Sequence, residues 1–260
     1  MTTPATPRRD RGGWDTHWAE FAASHAKNPA EHLRQRLITD ALALGDAGEP
    51  LRVLELGCGT GELAARIARV RPDAELVGLD GSGTACRIAA ARVPTGRFLR
   101  VDLSEPLSLP DELLGFATRA VCSEVLEHLD DPGALLRCSM PFLAPGGRLV
   151  VTVPAGPRSA FDVHIGHRRH FDRGRLEGLL EGAGYRDVVV RGVGFPFFNL
   201  YRLAVVARGE RLVTDAARDR DGGELPWLAR ATLGVFSRLF HANLDALDLG
   251  WQLVATAHRP

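Results

Sequence analysis

Val53-Leu54-Glu55-Leu56-Gly57-Cys58-Gly59-Thr60-Gly61 joins an apolar run to three glycines at alternate positions. Leu51 to Leu56 reads as a short buried strand. Glu62 to Ala68 then places apolar residues at helical spacing. A strand, a glycine turn and a helix together form a ligand site, because glycine alone lets the turn bring its backbone N–H groups so close to a bound molecule.

The charges around that turn narrow the ligand. A dinucleotide fingerprint requires glycine at the first, third and sixth positions, with the pyrophosphate on the helix N-terminus. Counting from Gly57, the sixth position is Glu62, and Glu55 stands just before the turn. Two carboxylates suit a ligand carrying an ammonium or a sulfonium better than a diphosphate, and S-adenosylmethionine is such a ligand.

Glu55-Leu-Gly-Cys-Gly-Thr-Gly61 resembles the first motif of the class I S-adenosylmethionine-dependent methyltransferases, and later motifs follow that family's order over residues 50–194. The resemblance implies cofactor contacts from Glu55, Gly57, Gly59 and Gly61. Glu75 to Asp80 reads as a second strand ending in an acid, 19 residues past Gly61, where a carboxylate can accept hydrogen bonds from ribose hydroxyls. A dinucleotide enzyme would place an acid there too, so Asp80 supports a nucleoside without choosing between the two. Arg97 to Val101 reads as a third strand followed by Asp102 and Leu103, and the resemblance assigns that acid to the adenine amine. A helix cap or turn is the alternative use of Asp102.

The fourth strand, Arg119 to Ser123, runs into Glu124-Val-Leu-Glu127-His128. It resembles the fourth family motif, although Phe116-Ala117-Thr118 stands where an aspartate commonly precedes the strand. Ser123 completes the expected cofactor rim. A helix over 132–142, a fifth strand over 143–153, a helix over 173–182 and a sixth strand over 185–193 follow. The seventh strand is expected at 249–257, after about fifty-five residues. That interval is longer than a hairpin loop should be. It holds two apolar segments, 195–206 and 225–244, both read as helices, with a polar link at 218–224.

The expected architecture is α/β: a doubly wound, mainly parallel seven-stranded sheet of the Rossmann-like methyltransferase kind. Residues 1–13 read as disordered, 14–46 as a helical cap with Pro29 opening its second helix, and 50–194 as the cofactor-binding core. Residues 195–247 read as a helical insertion and 248–260 as the last strand of the core. Trp14, Trp18 and Phe21 share one helix face, which either packs on the domain or caps the cofactor. The apolar insertion must bury its faces somewhere, and the expectation is a roof over the active site, shared or not with a partner in a homodimer. Phe195, Phe197, Phe198 and Tyr201 are pocket candidates, with plain core packing the alternative.

Lys+Arg and Asp+Glu both number 32, so no net field favours nucleic acid or a membrane surface. No apolar run reaches the roughly 18 residues of a membrane span. Four cysteines, Cys58, Cys86, Cys122 and Cys138, lack metal or disulfide spacing and fit a reducing cytoplasm.

Chemistry concentrates after the fifth strand, where Phe161-Asp162-Val-His164-Ile-Gly-His167-Arg-Arg-His170-Phe171 places three histidines within seven residues. Methyl transfer needs alignment of the methyl group with its acceptor, and a base when that acceptor is a hydroxyl. His128 and His167 are the catalytic candidates. Glu124, Glu127 and His128, at i, i+3 and i+4, can share one face and with His167 hold a divalent cation. That pattern resembles metal-dependent 2′-O-methyltransferases of small-RNA 3′ ends and some quinone O-methyltransferases. The same Glu-Val-Leu-Glu-His run is frequent in methyltransferases without metal.

The expected function is methyl transfer from S-adenosylmethionine, leaving S-adenosylhomocysteine, to a small-molecule oxygen of a natural-product, sugar or lipid-linked intermediate. A metal-dependent O-methyltransferase and a nicotinamide oxidoreductase are the alternatives.

Overall fold

The computed structural model describes residues 13–19, 28–45, 50–218 and 234–260. Its seven strands are β1 (Arg52–Leu56), β2 (Glu75–Asp80), β3 (Arg97–Arg100), β4 (Ala117–Ser123), β5 (Leu143–Pro154), β6 (Arg186–Val193) and β7 (Gln252–His258). They form one sheet in the order β3-β2-β1-β4-β5-β7-β6. Neighbours from β3 through β5 pair in parallel, whereas β7 runs antiparallel to both β5 and β6. The expected doubly wound sheet is therefore the observed one.

Central strands are buried on both faces and read as continuous apolar runs, as parallel strands must. Leu54, Leu56, Val151 and Val153 enter one core layer, and Val53, Val121 and Val150 enter the layer on the opposite face. The second layer is closed by α2 (Pro29–Leu42) and α3 (Glu62–Val70), which contribute Ile38, Leu42, Leu63 and Ile67. Pro29 does occupy the first turn of α2, and the Asn28 side chain accepts from Ala30 N, so the helix start follows from the local sequence.

Helix α1 spans 13–19. Gly13 is thus helical, one residue inside the stretch expected to be disordered; residues 1–12 and Phe21 lie outside the described residues. Further along come α4 (Gly83–Arg92), α5 (Pro132–Ser139), α6 (Ala160–His164), α7 (Arg173–Gly182) and α8 (Phe197–Arg218). Helix α9 covers 234–239.

Three expectations need correction. The seventh strand begins at Gln252 rather than Leu249, because a tight backbone crossing precedes it: a Cβ on Gly250 would lie 1.7 Å from the Val193 carbonyl oxygen. The first insertion helix runs on to Arg218, bent at Gly209, instead of stopping at Val206. The second ends at residue 239, where the chain passes into a 3-10 turn at Phe240–Ala242. Residues 219–233, which include most of the expected polar link, lie outside the described residues.

The insertion packs on α2. Phe198 and Phe240 are buried with Ala30 and Leu33, and Tyr201 and Phe236 lean on this satellite core. Tyr201 meets Phe240 edge-on at 5.7 Å, and Arg36 donates to the Phe240 carbonyl at 3.2 Å. Phe198, one of the pocket candidates, is therefore a core residue. Among the described residues no helix is long and apolar enough to cross a membrane.

Candidate active site

The carboxyl ends of β1 to β5 make one rim, where an open parallel sheet binds its ligands. At the end of β1 the three glycines all take left-handed backbone angles, with φ of +81°, +50° and +78° at Gly57, Gly59 and Gly61. Space enforces this as much as dihedral preference does. A Cβ on Gly57 would stand 2.3 Å from Val125 Cγ2 and 3.8 Å from Leu103 Cδ1. Leu103 thus faces the turn from beyond β3.

Asp80 closes the turn from β2. Its Oδ2 accepts from Gly59 N at 2.9 Å and its Oδ1 from Ser82 N at 2.8 Å. A carboxylate has about four lone-pair sites, so capacity for two ribose hydroxyls remains. Asp102 accepts from both the backbone and hydroxyl of Ser104, at 3.0 and 2.6 Å, which makes it a turn residue at the rim. The Ser123 hydroxyl lies 2.9 Å from that of Thr152 on β5.

Of the two acids around the turn, Glu62 is already answered. It lies 2.5 Å from Arg92 and accepts from the Thr60 hydroxyl at 2.5 Å. Glu55 is different: burial, together with the charges of Glu31, Glu62 and Asp80, pushes its pKa well above the usual carboxylate range. The electrostatic demand for a cation therefore rests on Glu55.

Helix α1 lies across this rim. The Trp18 ring covers Gly59, where a Cβ would come within 2.9 Å of it. Trp14 meets the His128 ring edge-on at 5.0 Å. Asp15 accepts from the Ser82 hydroxyl at 2.6 Å and from Thr84 N at 2.9 Å, which ties α1 to the start of α4. The tryptophan face therefore packs on the glycine turn.

Beyond β4 the chain takes a strained step, with Glu124 at φ +55°. Non-glycine residues in that region cluster at functional sites. Its Oε1 accepts from Gln252 at 2.9 Å and from Thr152 at 3.2 Å, and its Oε2 lies 3.7 Å from Arg34. Arg34 comes from α2 and also pairs with Glu31 at 2.8 Å. The expected four-residue metal set is thereby divided. Glu127, His128 and His167 bring ligand atoms within 4.8 Å of one another, whereas Glu124 is held by Gln252 and Thr152 outside that group.

Glu127 is fully buried, and neither of its carboxylate oxygens has a hydrogen-bond partner. Burial, reinforced by the charge of Glu124, raises its pKa well above the ordinary range. Glu127 Oε1 is 3.9 Å from His167 Nε2. Burial, with His128 adding to it, pushes the His167 pKa down to about 2, so this imidazole is neutral at physiological pH. The His128 and His167 rings stand 4.8 Å apart, nearly perpendicular. His164, by contrast, stays exposed.

Four residues without a role in the sequence reading surround this cluster: Ser159, Asp162 and His170 on the loop and Arg202 from α8. Asp162 caps α6 by accepting from Ser159 N at 2.7 Å, while the Ser159 hydroxyl accepts from Asp162 N. The Arg202 fork of α8 grips the same carboxylate, at 3.1 and 2.7 Å. His170 Nδ1 lies 3.0 Å from the Gly156 carbonyl oxygen. The Ser159-x-x-Asp162 spacing was visible as a capping signal, but no local pattern announces a partner 40 residues away.

The comparisons agree with this geometry. Residues 25–190 match the family described as the methyltransferase domain. The chain belongs to that family and is a class I S-adenosylmethionine-dependent methyltransferase by membership, as the first motif implied. It is 37% identical over 185 residues to a trans-aconitate 2-methyltransferase of Methylobacterium radiotolerans, a match covering 62% of this chain and 66% of that one. It is 31% identical over 156 residues to a ubiquinone biosynthesis O-methyltransferase of Acinetobacter baylyi, covering 59% and 62%. In both cases the match spans less than two thirds of the relative's own length. Among solved structures, phosphoethanolamine N-methyltransferase 2 of Haemonchus contortus, in complex with S-adenosyl-L-methionine, shares the fold with a TM-score of 0.61 at 17% identity, over 97% of this chain and 58% of that one. The N-methyltransferase NodS of Bradyrhizobium japonicum, in complex with S-adenosylhomocysteine, does so with a TM-score of 0.53 at 18% identity, over 90% and 89%. Family membership removes the nicotinamide oxidoreductase from consideration.

Proposed function

We propose that the protein transfers the methyl group of S-adenosylmethionine to an oxygen of a small molecule: a natural-product, sugar or lipid-linked intermediate. The observation that carries this reading is a buried imidazole, His167, set beside His128 and Glu127 at strand ends next to an acid-lined glycine turn. Glu55 supplies the negative field for the cofactor's ammonium, Asp80 holds the ribose, Leu103 packs beside the turn, and Asp102 and Ser123 bound the adenosyl and methionyl ends.

The mechanism is direct displacement. The acceptor oxygen forms its bond to the methyl carbon as the sulfur–methyl bond breaks, and S-adenosylhomocysteine departs with the electron pair. The hydroxyl proton passes to a histidine, His167 or His128. Holding the reacting atoms near 3–3.5 Å accounts for most of the acceleration such a step needs. The insertion supports a small acceptor, since it packs on α2 and reaches the rim loop through Arg202.

A second reading is favoured by the unpartnered oxygens of Glu127. One carboxylate and two imidazoles within 4.8 Å fit a divalent cation, and Glu127, His128 and His167 would hold it. Such an ion would lower the pKa of an acceptor hydroxyl. The test is transfer of labelled methyl from S-adenosylmethionine to a panel of hydroxylated acceptors, with and without a chelator. His167→Gln should lower turnover at least about a hundredfold if His167 is the base; an unchanged rate on an accepted substrate would remove it from that role.

A further inference from the structure

His167 has two nitrogens, and its usefulness at the rim depends on which one is bare. Nε2 faces Glu127 Oε1 at 3.9 Å, whereas Nδ1 faces His170 Nε2 at 3.4 Å. A neutral imidazole carries one N–H and one lone pair. The proton's place on one ring therefore fixes its place on the next.

The chain of hydrogen bonds starts at a group with no choice. The Gly156 carbonyl can only accept, and His170 Nδ1 lies 3.0 Å from it, so His170 carries its proton on Nδ1. His170 Nε2 is then a bare acceptor, and His167 must donate to it from Nδ1. His167 Nε2 is left with its lone pair directed at the Glu127 and His128 side. A hydrogen bond between two ring nitrogens needs one N–H and one lone pair, and with His170 Nδ1 turned to a carbonyl that lone pair falls on His170 Nε2.

Two features hold the arrangement in place. Gly156 sits at φ +71° beneath the Trp251 ring, where a Cβ would come within 2.6 Å, so its carbonyl direction is set by packing. Asp162 Oδ1 is 3.9 Å from His167 Nδ1 and its Oδ2 is 3.8 Å from His170 Nε2, both beyond hydrogen-bond distance. That carboxylate is committed elsewhere, to the Arg202 fork and to the backbone and hydroxyl of Ser159.

We infer that His170 is a positioning residue: it relays the direction of the Gly156 carbonyl to His167, and so presents the bare Nε2 of His167 to the reacting side of the rim. The inference deepens the proposed function, since a bare Nε2 is what a base or a metal ligand needs there, and it rests on that reading for its consequence. The proton order itself does not.

The test uses the full chain labelled with 15N in histidine, observed by long-range 1H–15N correlation at pH 7.5, with His167→Gln to assign the signals. The expected wild-type spectrum has the His167 proton on Nδ1, against the Nε2–H preference of imidazole side chains in water. His170→Phe should move that proton to Nε2. His170→Gln, which can still donate to Gly156 and accept from His167, should retain it on Nδ1. A wild-type Nε2–H form overturns the inference, as does a His170→Phe spectrum unchanged from wild type. Should the Phe variant fail to fold, the wild-type and Gln spectra still decide. Calorimetry with S-adenosylhomocysteine on the wild type runs alongside: failure there sinks the methyl-transfer reading and leaves the proton order standing.

Discussion

Replacing Arg202 with methionine tests how the insertion is tied to the rim loop. Arg202 donates two hydrogen bonds to Asp162, and their side chains are only 13% and 2% exposed. Burial alone would raise the Asp162 pKa, but the Arg202 fork and the Ser159 donors outweigh it and bring it down to about 2. Set against an ordinary carboxylate near 4, that corresponds to roughly 2 kcal/mol of stability at neutral pH. The folded value lies below the unfolded one, so this contribution is present above about pH 4 and is lost as pH falls toward 2.

In Arg202→Met the guanidinium's share of that contribution disappears and a buried carboxylate is left without its cation, for a total cost of about 3 kcal/mol. Urea denaturation at pH 7 should show that loss. Between pH 5 and 3 the variant should lose less stability than the wild type does. Adding Asp162→Asn to Arg202→Met should recover part of the deficit, because removing both charges costs less than orphaning one. A loss under about 1 kcal/mol, with the same acid slope as wild type, would mean that Arg202 does not hold the Asp162 carboxylate ionised.

Gly57→Ala would force a Cβ to 2.3 Å from Val125 Cγ2 at a backbone angle that disfavours any side chain; it should abolish S-adenosylhomocysteine binding in calorimetry and lower stability by about 1–3 kcal/mol. Trp18→Ala uncovers Gly59 and should weaken that binding about tenfold, a loss of about 1.4 kcal/mol. Glu127→Gln should leave S-adenosylhomocysteine affinity intact and remove Mn2+ binding measured by electron paramagnetic resonance; Mn2+ affinity equal to wild type would remove Glu127 as a ligand. Glu55 has a raised pKa, and an ammonium beside it favours its ionised form. Binding should therefore release protons and tighten as pH rises, visible as a buffer-dependent calorimetric enthalpy that Glu55→Gln loses.

The core of the sheet was legible because each strand announces itself locally. Leu51 to Leu56 and Glu75 to Asp80 are largely apolar runs with turn chemistry at their ends, and their strands fall within a residue of expectation. Asn28-Pro29 and Arg173 to Gly182 were readable for the same reason, as helix signals within one turn of the chain. What failed was set by distant contacts. The late start of β7 follows from the approach of Gly250 to Val193, which no periodicity encodes.

The site divides along the same line. Glycine spacing, Asp80 and the histidine cluster were legible, because their chemistry is carried by residue type and position. Glu62 looked available to a ligand because Arg92 is 30 residues away and faces it only once α4 has folded back. Glu124 looked like a metal ligand beside Glu127 until Gln252, from the far end of the chain, was seen to hold it. Arg34 and Arg202 were missed because buried arginines give no sequence signal distinct from surface ones.

In the proposed function, the acid-lined glycine turn at the end of β1 accepts a cationic adenosyl amino acid. Titrating the protein with S-adenosylhomocysteine and, separately, with NAD+ addresses it directly. One saturable site for the first and no heat from the second is the expected result. Saturable binding of NAD+ by a protein indifferent to S-adenosylhomocysteine would contradict it.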